Sequence, residues 1–376
     1  MSPRGTADWR PPLLEVVKMK PRIGILTSGG DCPGLNAVLR AVVLAADKLG
    51  WEVVGFRDGF EGLLPPGNHV ILDRQAVNGI MALGGTILGT TNRGHFVAKV
   101  GAGDRTIVPA KSIADARKIL EDLGVQALII VGGDGSLVTA QQLQESGINC
   151  IGVPKTIDND LEATAITFGF DSAVNVVVDA LDRLHTTATS HRRVIVVEVM
   201  GRHAGWIALQ GGIAGGADII LIPEIPFDND KIASVVNSRE AAGYLGTVVV
   251  AAEGARLKHG EQVKRDVEGG EFRLGGVGEI VAREIAKRTG KETRCCVLGH
   301  LQRGGAPTTL DRILATRFGV KAVQLANEGH FGSMVSYQNY QVRHVPIAEA
   351  VNRLKLVPPN GELVHTARDV DISFGD

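Results

Sequence analysis

Short, mostly apolar segments alternate with amphipathic ones along nearly the whole chain, and this alternation restricts the fold more than any other feature. Residues 23–26, 52–56, 127–131, 150–153, 194–199, 218–222, 247–252 and 294–298 read as strands. Ala127 to Val131 is apolar at every position, the pattern of a strand covered on both faces. Between the strands, apolar residues recur at helical spacing, as at Leu35, Val38, Leu39, Val42 and Val43 in a helix running to about residue 49. The same reading predicts helices over 76–83, 112–123 with Ser112 as the cap, 172–188, 278–289, 311–327 and 347–354, and one from the 132–136 loop to about 146. Strand–helix alternation implies right-handed crossovers and mainly parallel sheets. A chain of 376 residues has room for two such α/β units.

The polar stretches are not scattered. Residues 27–34, 132–136, 154–160, 198–202, 253–254 and 299–305 each follow a strand directly. Loops at the C-terminal ends of parallel strands share one sheet edge, where α/β proteins bind ligands. The run Gly152-Val153-Pro154-Lys155-Thr156-Ile157-Asp158-Asn159-Asp160 stands at the centre. Pro154 ends its strand, so a lysine, a hydroxyl and two carboxylates two residues apart fall into one loop.

Each loop carries a chemical reading and a plainer alternative. Gly29-Gly30 opens a helix whose free amides favour an anion such as phosphate, or it is a tight structural turn. Gly132-Gly133-Asp134-Gly135-Ser136 adds a carboxylate, the hard oxygen ligand that Mg²⁺ takes together with phosphate oxygens and water, unless Asp134 only forms the turn. The second glycine-rich loop ends in Asn92-Arg93-Gly94. Phosphoryl transfer needs a metal on the donor, cations on the transferring group and a base for the acceptor hydroxyl. Asp158 supplies a base, Thr156 a hydroxyl, and Lys155 or Arg93 the cation; otherwise the aspartates cap the following segment. Arg192, Arg193, Arg202, Arg294, His300 and Arg303 form a basic set in the second half that would suit a phosphate dianion if they share a cleft.

Composition narrows the class. A formal net charge of -1 and an aromatic content of 4% argue against a nucleic-acid surface or a polybasic membrane patch. The sequence has no run of 18 apolar residues of the kind that spans a membrane. Cys32, Cys150, Cys295 and Cys296 lack metal-ligand spacing and read as reduced thiols of a cytoplasmic protein. Residues 1–18, ahead of Met19, read as a disordered leader, and 98–110 as an irregular insertion.

Five runs together resemble 6-phosphofructokinase: Thr27-Ser28-Gly29-Gly30-Asp31-x-Pro33-Gly34-x-Asn36, Gly132-Gly133-Asp134-Gly135-Ser136, Pro154-x-Thr156-Ile157-Asp158-Asn159-Asp160, Glu198-Val199-Met200-Gly201-Arg202, and Leu298-Gly299-His300-x-Gln302-Arg303-Gly304-Gly305. They stand in the family's order over residues 20–354. The resemblance implies two similar three-layer α/β/α domains with mainly parallel sheets: a nucleotide-binding domain of 19–169 plus about 302–352, and a sugar-phosphate domain of 170–301 plus about 353–376. It implies phosphoryl transfer from ATP to the 1-hydroxyl of fructose 6-phosphate. Asp158 would be the base, with Thr156, Asp160 and Arg202 at the reacting centre. Gly30, Arg93 (or Asn92), Gly133, Asp134, Gly135, Ser136 and Lys155 would hold ATP, and Asp134 Mg²⁺. Arg193, Met200, Gly201, Arg202, Glu253, Arg294, His300 and Arg303 would bound the sugar phosphate. A homotetramer or homodimer sharing that site between subunits is implied as well.

Two departures bear on this. Pyrophosphate users in the family carry aspartate where this chain has Gly135 and lysine where it has Lys155, whereas ATP users carry glycine at the first position and many at the second too, so this chain is mixed. A carboxylate at 135 would repel an α-phosphate, whereas Lys155 excludes nothing, which favours ATP over the pyrophosphate-dependent alternative. A catalytically inactive binding subunit is the reading from another class. On the first helix, Arg40 matches a basic effector-site position but Leu44 replaces another arginine, so the family's allosteric feedback by ADP or phosphoenolpyruvate is not implied with it.

Overall fold

The computed structural model describes residues 20–96, 107–258, 260, 264–266 and 272–376. The expected leader at 1–18 lies outside these residues, as does the 98–106 part of the expected insertion. One sheet contains β1 (Arg22–Thr27), β2 (Glu52–Phe56), β3 (His69–Leu72), β4 (Val125–Gly132), β5 (Cys150–Pro154), β12 (Ser333–Gln338) and β13 (Gln341–Pro346), in the order β13-β12-β5-β4-β1-β2-β3. The five inner strands are mutually parallel, and only the edge strands β3 and β13 run antiparallel. The other main sheet is parallel throughout, in the order β11-β6-β8-β7, from β6 (Val194–Val199), β7 (Ile219–Leu221), β8 (Thr247–Ala252) and β11 (Thr293–Val297). A two-stranded antiparallel ribbon joins β9 (Lys264–Asp266) to β10 (Phe272–Leu274).

Both faces of the central strands are buried, as their unbroken apolar runs require. Along β4, Leu128 and Ile130 enter one core while Ile129 and Val131 enter another. The second of these cores continues to Val197 and Val250 of the other sheet, so one apolar mass connects the two. Helices α1 (Leu35–Lys48), α2 (Ala110–Asp122), α3 (Asp134–Glu145), α4 (Phe170–His191), α5 (Trp206–Ala214), α6 (Asn229–Ala241), α7 (Val277–Thr289), α8 (Thr309–Glu328), α9 (Ile347–Ala350) and α10 (Glu362–Asp369) complete the described structure. After β11 the chain returns to the first sheet. There α8 packs on α1 so closely that a β-carbon on Gly319 would lie 2.8 Å from the Val38 carbonyl. The C-terminus then crosses back, and Ser373 bridges to Ile219.

Several local expectations need correction. The helix expected over 76–83 is only a 3-10 turn, Ile80–Ala82, because Gly79 before it is left-handed at φ 75° and Gly84-Gly85 follow. Pro109 precedes α2, which starts at Ala110, so Ser112 lies inside the first turn rather than capping it. The late helix stops at Ala350, and Leu354 instead bridges to Leu161. Asp134 and Gly135 are the first residues of α3, not a free loop. The β12–β13 hairpin turns through Asn339 and Tyr340, both at positive φ, a pairing suited to a two-residue turn. Cys295 and Cys296 pack into different cores on opposite faces of β11, and none of the four cysteines forms a disulfide.

Candidate active site

The C-terminal ends of β1, β4 and β5 meet at a cleft of about 340 Å³. Its walls include Gly30, Arg93, Gly133, Asp134, Gly135, Ser136, Lys155, Thr156, Asp158, Asp160, Arg202 and Arg303. Loops far apart in sequence thus converge as the strand order requires. The wall is tied together by backbone bonds, Ser28 N–H to the Val131 carbonyl at 2.9 Å and Lys155 N–H to the Gly132 carbonyl at 2.9 Å. Ser136 Oγ donates to Ser28 Oγ at 3.0 Å, joining the two glycine-rich turns. Asn36, buried on α1, donates to the carbonyls of Leu83 and Gly84 and accepts from Ile87 N–H, so it anchors the loop that carries Asn92 and Arg93. Both of those residues face the cleft.

The loop of residues 155–160 is held by its own side chains. Thr156 Oγ1 accepts from Asp158 N–H at 3.1 Å and hydrogen-bonds the Asp160 carboxylate. Asn159 is buried at φ 51°, and its Oδ1 accepts from Thr167 N–H. The left-handed turn at Asn159 sets the two carboxylates beside one another. Burial pushes the Asp158 carboxyl up to about 7; Asp160 adds to the rise, and Arg303 and Lys155 oppose it. Burial raises the Asp160 carboxyl as well, while the Thr156 hydroxyl, His203 and Lys355 work against this.

Lys155 differs from a simple phosphate cation. It is buried, and its ammonium donates to the Gly30 carbonyl, propping the first glycine turn from below. Burial lowers its pKa. Arg303 reaches the same turn from the 3-10 segment Gly299–Arg303 and donates to the Asp31 carbonyl at 3.1 Å. Gln302, fully buried, accepts from Met200 N–H at 2.8 Å, so the segment that presents Arg303 also fixes the 200–202 turn. Glu253 stands at the end of β8 on this edge, and its N–H bonds the Val199 carbonyl. Burial raises its carboxyl and Arg202 opposes the rise. Met200, Gly201, Glu253 and His300 share this edge without lining the cleft. Glu198 has a structural task that its motif did not disclose: its carboxylate accepts from Gly276 N–H and Gly278 N–H at the start of α7.

Arg193 and Arg294 depart from the expectation of one shared cleft. They lie at the starts of β6 and β11, whereas Met200, Arg202 and Arg303 follow the ends of those strands. Arg193 thus stands the length of six-residue β6, about 20 Å, from that edge, and Arg294 about 10 Å from the end of β11. Both arginines pair with Glu292, at 2.8 Å and 2.5 Å. Arg193 Nε is buried with no hydrogen-bond partner.

The sequence pattern of phosphofructokinase matches residues 22–326. The chain belongs to the phosphofructokinase family. It is 51% identical over 357 residues to the ATP-dependent 6-phosphofructokinase of Chloroflexus aggregans, covering 95% of this chain and 98% of that one. It is also 52% identical over 343 residues to the pyrophosphate–fructose 6-phosphate 1-phosphotransferase of Streptomyces coelicolor, covering 90% and 96%. The solved phosphofructokinase of Saccharomyces cerevisiae superposes with a TM-score of 0.78 at 31% identity, over 89% of this chain but only 45% of the yeast chain. Both donor types thus occur among phosphofructokinase relatives at similar identity, and overall similarity does not separate ATP from pyrophosphate.

Proposed function

We propose that this protein transfers the γ-phosphoryl group of ATP to the 1-hydroxyl of fructose 6-phosphate, producing fructose 1,6-bisphosphate and ADP in the cytoplasm. The observation that carries the reading is the placement of Asp158 in one cleft with Arg303, Lys155 and the glycine-rich start of α3. A base whose carboxyl is raised towards neutrality is a better proton acceptor than an ordinary aspartate. Asp158 takes the proton of the 1-hydroxyl as its oxygen bonds to the γ-phosphorus, and the bond from that phosphorus to the bridging oxygen breaks to release ADP. Charge on the transferring group is met by Arg303 and by the amides of the Gly29-Gly30 turn. Thr156 and Asp160 hold Asp158 in place, and Arg202 borders the acceptor.

The residues fit Mg²⁺ carried in on the donor. Asp134 offers a carboxylate close to the hydroxyls of Ser28 and Ser136, side-chain oxygens of the kind the ion takes together with water and phosphate. Among the described residues no cluster of three metal-binding side chains could enclose an ion by itself. Bound there through Asp134, the ion would draw charge from the donor phosphates.

Gly135 favours ATP over pyrophosphate. It sits in the first turn of α3 on the cleft wall, where a carboxylate would meet an α-phosphate with like charge. The same cleft also takes in Phe60 and Phe96, whose rings stack at 5.4 Å. We assign 19–169 with about 302–352 to nucleotide binding, and 170–301 with about 353–376 to the sugar phosphate. We also place Arg193 and Arg294 on the sugar phosphate of a neighbouring subunit, and His300 on that of its own, which makes the enzyme an oligomer, a homotetramer or homodimer by family resemblance. Fructose 6-phosphate and Mg²⁺ with either ATP or pyrophosphate test the reading. Turnover with ATP is expected. Turnover with pyrophosphate alone reverses the donor assignment, and none with either donor leaves a binding subunit.

A further inference from the structure

Lys355 lies outside every motif of the site, on the segment by which the chain crosses from the first sheet towards its C-terminus. Its ammonium has three acceptors at hydrogen-bond distance: Asn159 Oδ1 at 2.9 Å, the Thr164 carbonyl at 2.9 Å and the Ala165 carbonyl at 3.1 Å. An ammonium has three protons, so all are used. The backbone of the same residue completes a clamp. Its N–H donates to the Asp160 carbonyl at 2.9 Å, and its carbonyl accepts from Trp206 Nε1 at 2.8 Å. Two residues on, Val357 N–H donates to Glu224, which also accepts from Gly205 N–H beside α5. One short strap therefore binds the base-bearing loop to the start of α5.

A charged side chain here needs a reason, because all three acceptors are neutral and a neutral donor would satisfy them without the cost of burying charge. The groups facing the ammonium supply one. Asp160 and Glu162 are the carboxylates near it; His203 also acts on Asp160, and Arg202 acts on His203. Glu162 already pairs with Arg353 at 3.0 Å. Asp160 Oδ1, by contrast, is buried without any hydrogen-bond partner. Lys355 is thus the buried cation placed to balance Asp160, and through Asp160 it acts on Asp158. Its own pKa, lowered by burial to about 8, still leaves it mostly charged at neutral pH.

We propose that Lys355 is a positioning residue for the phosphoryl-transfer reaction, holding the Asn159–Asp160 turn so that Asp158 meets the acceptor hydroxyl and keeping the neighbouring Asp160 ionised. This rests on the kinase reading given above. Asn159 is the mechanical link: its backbone is left-handed at φ 51°, a conformation asparagine tolerates, and Lys355 and Thr167 N–H together hold its side chain.

The test compares Lys355→Met, Lys355→Gln and Lys355→Arg in the full-length protein, with kinetics and amide hydrogen exchange. Lys355→Met removes both charge and donors. Its kcat should fall roughly 10- to 100-fold, the scale of a misplaced catalytic group, while KM for each substrate moves less than about threefold. Its acid limb should move to higher pH, because the carboxylate pair has lost a cation. Lys355→Arg should recover most of kcat and return the limb. Amides of residues 156–167 should exchange faster in Lys355→Met while β4 and β6 stay protected. If Lys355→Met does not fold, Lys355→Gln, which keeps a donor but no charge, carries the same comparison against Lys355→Arg. Unchanged kcat and limb, or equal loss in the arginine variant, overturns the proposal. A wild-type protein that turns over neither donor sinks the kinase reading instead, and the exchange data then still report whether Lys355 holds the loop.

Discussion

The guanidinium of Arg303 occupies the space where residue 30 would carry a side chain: a β-carbon on Gly30 would lie 2.7 Å from Nη1. Nothing in the backbone of Gly30 demands glycine, since its φ is not positive. The requirement comes from the approach of Arg303. Gly30→Ala is therefore expected to displace a flexible arginine at little structural cost and to leave stability within about 0.5 kcal/mol. Displacement moves a cation away from the transferring phosphoryl group, so kcat should fall roughly 10- to 100-fold. Thermal melting and steady-state kinetics on one preparation separate the two effects. A large fall in melting temperature would show that Gly30 serves the fold instead.

Asp158 is expected to act as the base. Asp158→Asn keeps the shape of the side chain and its place beside Thr156 but cannot accept the proton. Turnover should drop about 10²- to 10⁴-fold with little change in the KM for fructose 6-phosphate. Near-normal turnover would remove Asp158 from the mechanism.

The same residue sets a pH dependence. Burial and Asp160 raise the Asp158 carboxyl to about 7. The base works deprotonated, so kcat/KM should be constant above that value and fall about tenfold per pH unit below it. An ordinary aspartate would hold activity down to about pH 4. A rate profile flat from pH 8 to pH 5 would show that the bound substrates and their cations have cancelled the rise, or that another group is the base.

The α/β class, the parallel order and the converging loops were legible because they follow from strand–helix periodicity and from the shared edge of parallel strands. Edge strands β3 and β13 carry no such signal. His69 and most of β13 are exposed and polar, so they lack the apolar run that marks an inner strand. Helix α5 was missed for the opposite reason: Trp206 to Ala214 carries no charged residue to give a polar face. Within the site, residue types announced Asp158 and Arg303, whereas the tasks of Lys155, Glu198 and Lys355 depend on partners more than 75 positions away. A motif states which residues are present and says nothing about which backbone carbonyl or helix start they will meet.

The donor assignment turns on Gly135. Gly135→Asp places a carboxylate in the first turn of α3, opposite the expected α-phosphate. Its kcat/KM for ATP should fall by about tenfold or more, since like charges brought together in a binding site oppose binding. The KM for fructose 6-phosphate should stay near its original value. Unchanged ATP kinetics would mean that the α-phosphate does not pass this residue.

Arg193 and Arg294 test the shared site. They lie at the starts of β6 and β11, whereas Arg303 follows the end of β11, so within one chain they should not touch the sugar phosphate that Arg303 approaches. Arg294→Ala should raise the KM for fructose 6-phosphate and spare kcat at saturation. The decisive form is a mixture. Subunits carrying Asp158→Asn and subunits carrying Arg294→Ala are each weak at low sugar concentration. Co-expressed, they form mixed oligomers in which some sites draw both defects and others neither. Random pairing across a two-fold interface leaves about a quarter of the sites intact, so activity at low sugar should rise well above the mean of the two parents. Activity equal to that mean would place Arg294 outside the neighbouring site.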